Sequence, residues 1–254
     1  MLKVDNLEFS FKDFQVLSGI CFEARRGSIV SILGNNGAGK STLLKCIARL
    51  LKPKSGAILI DGKDANSFSL RQLSKNVAYV PQRYTANRVT VYETILLGRK
   101  PHFTGLVPSS EDLEKVEMAL DLFELKHLAF RYLDEISGGE LQKVVIARAF
   151  VQDPKVLLLD EPINNLDLKN QIEVLKILKM LSKQKGILVV VILHDLNLAI
   201  RFSDWFVFVK DGRIFASGSK EVITAEVISR VYGIDVKVEK HGNEIFVVPE
   251  VSAI

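Results

Sequence analysis

Two hydrophobic periods take turns along this chain. Leu2, Val4 and Leu7, then Phe9 and Phe11, alternate with polar positions and predict an opening strand that turns at Lys12-Asp13. Val16 to Phe22 predicts a second strand. The turn Arg25-Arg26-Gly27 leads into a third, Ser28 to Leu33, an apolar run with β-branched Ile29, Val30 and Ile32. After a glycine-rich stretch the period changes. Leu43, Leu44, Ile47, Leu50 and Leu51 recur at helical spacing until Pro53 and Gly56. Ala57 to Ile60, closed by the hairpin signal Asp61-Gly62, and Val77 to Val80, ended by Pro81, predict further strands.

From Arg88 to Phe150 the pattern is helical. Thr90 to Leu97 predicts a helix with Ile95 and Leu96 inward, and Gly98 to Ser110 an irregular connection. Ser110-Glu111 starts a helix with Leu113, Val116, Ala119, Leu120 and Phe123 as its apolar positions, and Ser137 to Phe150 is a third helix. Strands and helices then alternate. Val156 to Leu159 is all aliphatic, as at the centre of a parallel sheet. Leu168 to Leu181 is a helix, Ile187 to Leu193 a strand, and Asp195 to Phe202 a helix. Trp205 to Val209 turns at Asp211-Gly212 into Arg213 to Ala216. Glu221 to Tyr232 is helical, and Val236 to Val238 pairs with Ile245 to Val248 around Gly242.

Composition narrows the class. A chain of 254 residues, 48% hydrophobic and 25% charged, suits one elaborated domain or two intimate lobes with a sizeable core. The net charge of +4 comes from scattered residues, which argues against a basic nucleic-acid surface. Cys21 and Cys46 form no motif; they imply a reducing compartment and a packing role. Lys3 and Asp5 fall where a signal peptide would be apolar, and the longest aliphatic run, Ile187 to Leu193, is too short to span a bilayer. The expectation is a cytosolic protein that meets a membrane only through a partner.

The chemistry centres on Gly34-Asn35-Asn36-Gly37-Ala38-Gly39-Lys40-Ser41-Thr42, which fits G-x-x-x-x-G-K-[ST] with a strand before it and a helix after it. Glycines let successive backbone N–H groups converge on one anion, and the helix start adds partial positive charge. Lys40 reaches the β- and γ-phosphates and the Ser41 hydroxyl ligates Mg²⁺. At the end of the aliphatic strand, Asp160 is placed to hold Mg²⁺ through water, and Glu161 is the candidate base for an attacking water. Ser137-Gly138-Gly139-Glu140 reads as a capping box. Its two glycines also bare a helix start able to take a phosphate, one held by another subunit.

Together these stretches resemble the ATP-binding cassette ATPases of transporters, over essentially the whole chain. Gly34 to Thr42 corresponds to the P-loop. Tyr79-Val80-Pro81-Gln82 resembles the family's glutamine loop, and Ile136-Ser137-Gly138-Gly139-Glu140 its LSGGQ signature. Asp160-Glu161-Pro162 resembles its magnesium strand, Leu166-Asp167 its D-loop, and Leu193-His194-Asp195 its switch histidine. The implied fold is α/β: a P-loop NTPase core with a mixed sheet, an N-terminal antiparallel β subdomain and a helical signature subdomain. The implied organisation is one domain, with residues 1–87 and 151–254 as the core and β subdomain and 88–150 as the helical subdomain.

The resemblance also implies roles. ATP is sandwiched between one copy's P-loop and Ser137, Gly138, Gly139 and Glu140 of another, in a homodimer. Phe11 falls under the adenine, where the plain alternative is a strand residue facing the core. Gln82 senses Mg²⁺ and the water, where the plain alternative is a polar loop residue. His194 contacts the γ-phosphate and holds Glu161, where the alternative is a structural histidine. Asp167 contacts the partner copy. Three departures stand out: Glu140 replaces Gln, Ile163-Asn164-Asn165 replaces a Thr-Ser stretch, and, trivially, Ile136 replaces Leu. Thr90 to Thr94, Leu97-Gly98-Arg99-Lys100-Pro101-His102 and Val231-Tyr232-Gly233-Ile234 resemble the cassettes of iron-siderophore, haem and cobalamin importers. The implied partners are an integral-membrane permease and, indirectly, a substrate-binding protein, with the chain on the inner face of the cell membrane. The alternatives are a zinc or oxyanion importer cassette, a soluble cassette ATPase acting on nucleic acid, and a P-loop kinase.

Overall fold

The computed structural model describes residues 1–85, 88–242 and 244–250. β1 (Leu2–Phe11) and β2 (Phe14–Ala24) form the opening hairpin, with Lys12 at φ +52° in its turn. β3 (Ile29–Leu33) runs into the glycine stretch and α1 (Lys40–Ile47). β4 (Ser55–Ile60) and the short β5 (Lys63–Asp64) extend the hairpin into an antiparallel sheet ordered β2-β1-β4-β5. α2 (Leu70–Ser74) and β6 (Val77–Val80) come next. Three helices follow: α3 (Val91–Leu97), α4 (Ser110–Leu122) and α5 (Gly138–Phe150). Then come β7 (Val156–Leu159), α6 (Leu168–Lys185), β8 (Leu188–Ile192) and α7 (Leu196–Phe202). β9 (Trp205–Lys210), β10 (Arg213–Gly218), α8 (Ala225–Tyr232) and the hairpin β11 (Val236–His241) and β12 (Glu244–Pro249) complete the chain.

The large sheet runs β10-β9-β3-β8-β7-β6. Its strands pair in parallel except β10, which pairs antiparallel to β9, so the sheet is mixed. Every residue of β3, β7 and β8 is buried, and alternate residues serve different cores. Val189 and Val191 pack with the helices of one face; Leu188, Val190 and Ile192 pack with α1 and the antiparallel sheet on the other. This two-sided burial explains the unbroken aliphatic runs in the sequence. It also sets the site. Parallel strands end on one edge, so Gly34 after β3, Asp160 after β7 and His194 after β8 all emerge there.

Several expectations need correction. α1 stops at Ile47, not near Pro53: Arg49 takes φ +54°, and Leu50 is exposed. Leu113 is exposed as well. Its first turn buries Asp112 instead, held by Arg99 Nε at 2.9 Å, and both side chains are nearly inaccessible. Leu96 is only half-buried. The tail helix begins at Ala225 behind its N-cap Thr224, after a separate 3-10 turn at Lys220–Val222. α6 continues past Leu181 to Lys185, where Gly186 ends it at φ +68°. β5 and α2 were not expected. Among the described residues, no helix is long and apolar enough to cross a membrane.

Candidate active site

The loop after β3 is shaped by its glycines. Gly39 has φ +100°, and a Cβ there would sit 2.8 Å from Leu17 Cδ2 and 3.0 Å from the Val16 carbonyl oxygen. Only glycine meets both demands. Gly39 is the N-cap of α1 and offers no side chain, so the N–H groups of the first turn face the loop without a side-chain cap. A cavity of about 160 Å³ opens there, lined by Val16, Asn36, Gly37, Gly39, Lys40, Ser41, Thr42 and Glu161. Ala38 and Lys40 are buried, whereas Asn35, Asn36 and Gly37 are exposed. Lys40 Nζ donates to the Gly34 and Asn35 carbonyls, at 2.8 Å each. Burial lowers its pKa; the nearby carboxylates of Glu161 and Asp160 act in the opposite direction.

Two carboxylates arrive from the end of β7. Asp160 accepts from Ser41 Oγ at 2.8 Å and from the Tyr79 hydroxyl at 3.1 Å. Burial and the Asp160 charge both push the Tyr79 phenol upward, so it stays a neutral donor. Glu161 takes φ +53°, in the left-handed region that non-glycine residues seldom occupy. That backbone turns its carboxylate into the cleft, where His194 Nε2 lies 2.7 Å from Oε1 and Gln82 Nε2 donates to Oε2 at 2.5 Å. Asn164 Nδ2 donates to the same Oε2. Gln82, Glu161 and His194, separate in sequence, thus meet as one cluster beside Lys40 and Ser41. The donor set of hydroxyl, carboxylate and amide oxygen is hard, the kind Mg²⁺ takes.

Ser137, Gly138, Gly139 and Glu140 lie elsewhere. Among the described residues they share no hydrogen bond with the loop. Ser137 Oγ caps α5, and Glu140 Oε2 reaches back to the Ser137 N–H at 2.8 Å and its hydroxyl at 2.7 Å. Those bonds from Ser137 hold the Glu140 carboxyl below the usual range. A Cβ at Gly139 would come 2.6 Å from Asn170 Oδ1 on α6, so that side chain would have to shift. Asp167 caps α6 through the Asn170 N–H at 2.8 Å. Phe11 does not face the core. It is 52% exposed and meets Phe9 edge-on, with ring centroids 4.7 Å apart.

Sequence reasoning passed over four participants. Tyr79 was visible beside Gln82, and Asn164 as an unusual residue next to the acids. Val231 and Tyr232 carried no chemical signal, yet the Val231 carbonyl accepts from Asn35 Nδ2 and the Tyr232 hydroxyl from the Gly34 N–H, both at 3.0 Å.

The comparisons with known proteins agree in direction. Residues 17–164 match the family described as "ABC transporter". The chain is 54% identical to an uncharacterized ABC transporter ATP-binding protein of Methanocaldococcus jannaschii, covering 98% of both chains. It is 34% identical to the iron(3+)-hydroxamate import ATP-binding protein FhuC of Bacillus subtilis, over 93% of this chain and 89% of that one. Among solved structures, a metal-chelate type ABC transporter in an inward-facing conformation superposes with a TM-score of 0.85 at 28% identity, covering 98% of this chain and 97% of that one.

Proposed function

Because this chain belongs to the ABC transporter family, we propose that its ATP hydrolysis powers import of a metal chelate of iron(III)-siderophore, haem or cobalamin type. Cassettes of such importers pair with permease subunits and dimerise. One observation carries the substrate class: the likeness to a metal-chelate transporter runs over 98% of the chain, tail hairpin included. The reading of the parts follows. Residues 1–87 and 151–254 act as core and β subdomain, and 88–150 as the helical subdomain. The permease holds the chain on the inner face of the cell membrane, and a substrate-binding protein delivers the chelate.

In this reading the N–H groups of Gly37 to Thr42 and the Lys40 ammonium grip the phosphates. Ser41 and Asp160 hold Mg²⁺, with Gln82 beside them. When bound, the ion neutralises charge on the phosphate oxygens. Glu161 orients water and removes its proton; His194 and Gln82 fix the carboxylate from either side. Ser137 to Glu140 of a second copy close the site, and Asp167 meets that copy.

The adenine rests on Phe11. Phe11→Ala weakens ATP binding by about 1–3 kcal/mol, whereas Phe11→Tyr and Phe11→Trp preserve it. Titration with ATP measures this, and equal affinity in all four proteins removes Phe11 from the site.

The substrate class is tested on the complex purified from its native membranes. Its ATPase rate is expected to rise when the substrate-binding protein carries ferric hydroxamate, haem or cobalamin. A rise with zinc or an oxyanion instead overturns the chelate assignment.

A further inference from the structure

A helix leaves its last carbonyls without intrahelical partners. At the end of α8 two of these are filled from outside: the Arg230 carbonyl accepts from Lys210 Nζ at 2.7 Å, and the Val231 carbonyl from Asn35 Nδ2 at 3.0 Å. One residue further, the Tyr232 hydroxyl accepts from the Gly34 N–H at 3.0 Å. Gly34 is buried, so that N–H has no bulk water to turn to. Gly233, at φ +73°, ends the helix directly after Tyr232 and so fixes where the ring stands. Burial raises the phenol to about 12, which keeps it a neutral hydroxyl.

The same two residues, Gly34 and Asn35, supply the carbonyls that hold the Lys40 ammonium. Each residue is therefore held twice: by the lysine at its carbonyl, and by α8 at the Gly34 N–H and the Asn35 side-chain amide. The rest of the tail is tied down separately. Asn197 on α7 exchanges hydrogen bonds with Val247 on β12, at 2.8 and 3.2 Å. The tail thus bridges the phosphate loop and the helix that follows His194, and it lies outside the residues 17–164 matched by the family.

We propose that Tyr232 is a positioning residue for the phosphate grip: its hydroxyl holds the Gly34 N–H, the Val231 carbonyl holds the Asn35 side chain, and together they set the two residues whose carbonyls hold Lys40. This rests on Gly34 to Thr42 being the ATP phosphate loop.

Tyr232→Phe keeps the ring and removes the acceptor. KM for ATP is expected to rise about threefold to tenfold, the range one net neutral hydrogen bond spans, with kcat within about twofold. Ile228→Val is the control. Ile228 is fully buried on the same helix, so the substitution loosens packing without touching the loop, and KM should stay parental. Thermal melts confirm that both variants are folded at the assay temperature. A parental KM in Tyr232→Phe, or an equal rise in Ile228→Val, overturns the proposal. If Tyr232→Phe does not fold, Asn35→Ala cuts the second tether and is read by the same two outcomes. A parent that binds no ATP by titration would instead refute the phosphate-loop reading.

Discussion

Glu161→Gln slows ATP hydrolysis about 10²–10⁴-fold, or roughly 3–5.5 kcal/mol of barrier, and leaves ATP bound. The geometry makes this substitution a clean one. Oε2 accepts from Gln82 and Asn164, and Oε1 faces His194 Nε2. A glutamine there keeps its oxygen toward the two amides and turns its NH₂ toward the histidine, whose ring nitrogen can accept. The left-handed backbone is no more strained with Gln than with Glu. What disappears is the negative charge proposed to take the water's proton. Lys40, Ser41 and the loop amides are untouched, so binding survives. With hydrolysis slowed, ATP is expected to persist and bridge two copies through the proposed contact at Ser137, Gly138 and Gly139. The variant is expected to elute as a dimer with ATP and Mg²⁺ but not with ADP. Adding Ser137→Arg, which places a bulky cation at the phosphate contact, should abolish that dimer. Size-exclusion chromatography with light scattering reads both. A monomer at saturating ATP with parental turnover would show that Glu161 is not the base.

Lys40→Ala nearly abolishes hydrolysis, by more than about 100-fold, which is over ~2.7 kcal/mol. The lysine is the loop's only side-chain cation, and it is 5% exposed. Its removal takes away the proposed phosphate partner. It also leaves the Gly34 and Asn35 carbonyls without the donor they now share. Steady-state phosphate release, on protein shown to be folded by its melting curve, measures the loss. Turnover within about tenfold of the parent would remove Lys40 from the phosphate grip.

How much of this was readable beforehand depended on whether the chemistry lay in consecutive residues. The loop, the acids after β7 and the capping box are each a short run, and each run carries its own physical signature. The strands that place them were legible because burial on both faces leaves unbroken aliphatic stretches. α2 was missed because five residues cannot show a period, although Ser69 and Gln72 do form its capping box. Leu113 misled because amphipathic spacing does not tell where a helix overhangs its core; there the buried residue is an aspartate satisfied by Arg99. Tyr79 and Tyr232 hydrogen-bond to partners 81 and 198 residues away, and spacing alone gives no hint of such pairs.

Those long separations also govern how the molecule comes into being. Contacts between distant parts of a chain form late, because the entropy of closing the intervening loop is lost before the contact rewards it. Ser41 meets Asp160 across 119 residues, and Gly34 meets Tyr232 across 198. A chain emerging from the ribosome presents its glycine loop early, before the acids and long before the tyrosine that clasps it. Until Tyr232 has been made, the loop lacks the hydroxyl that holds its Gly34 N–H.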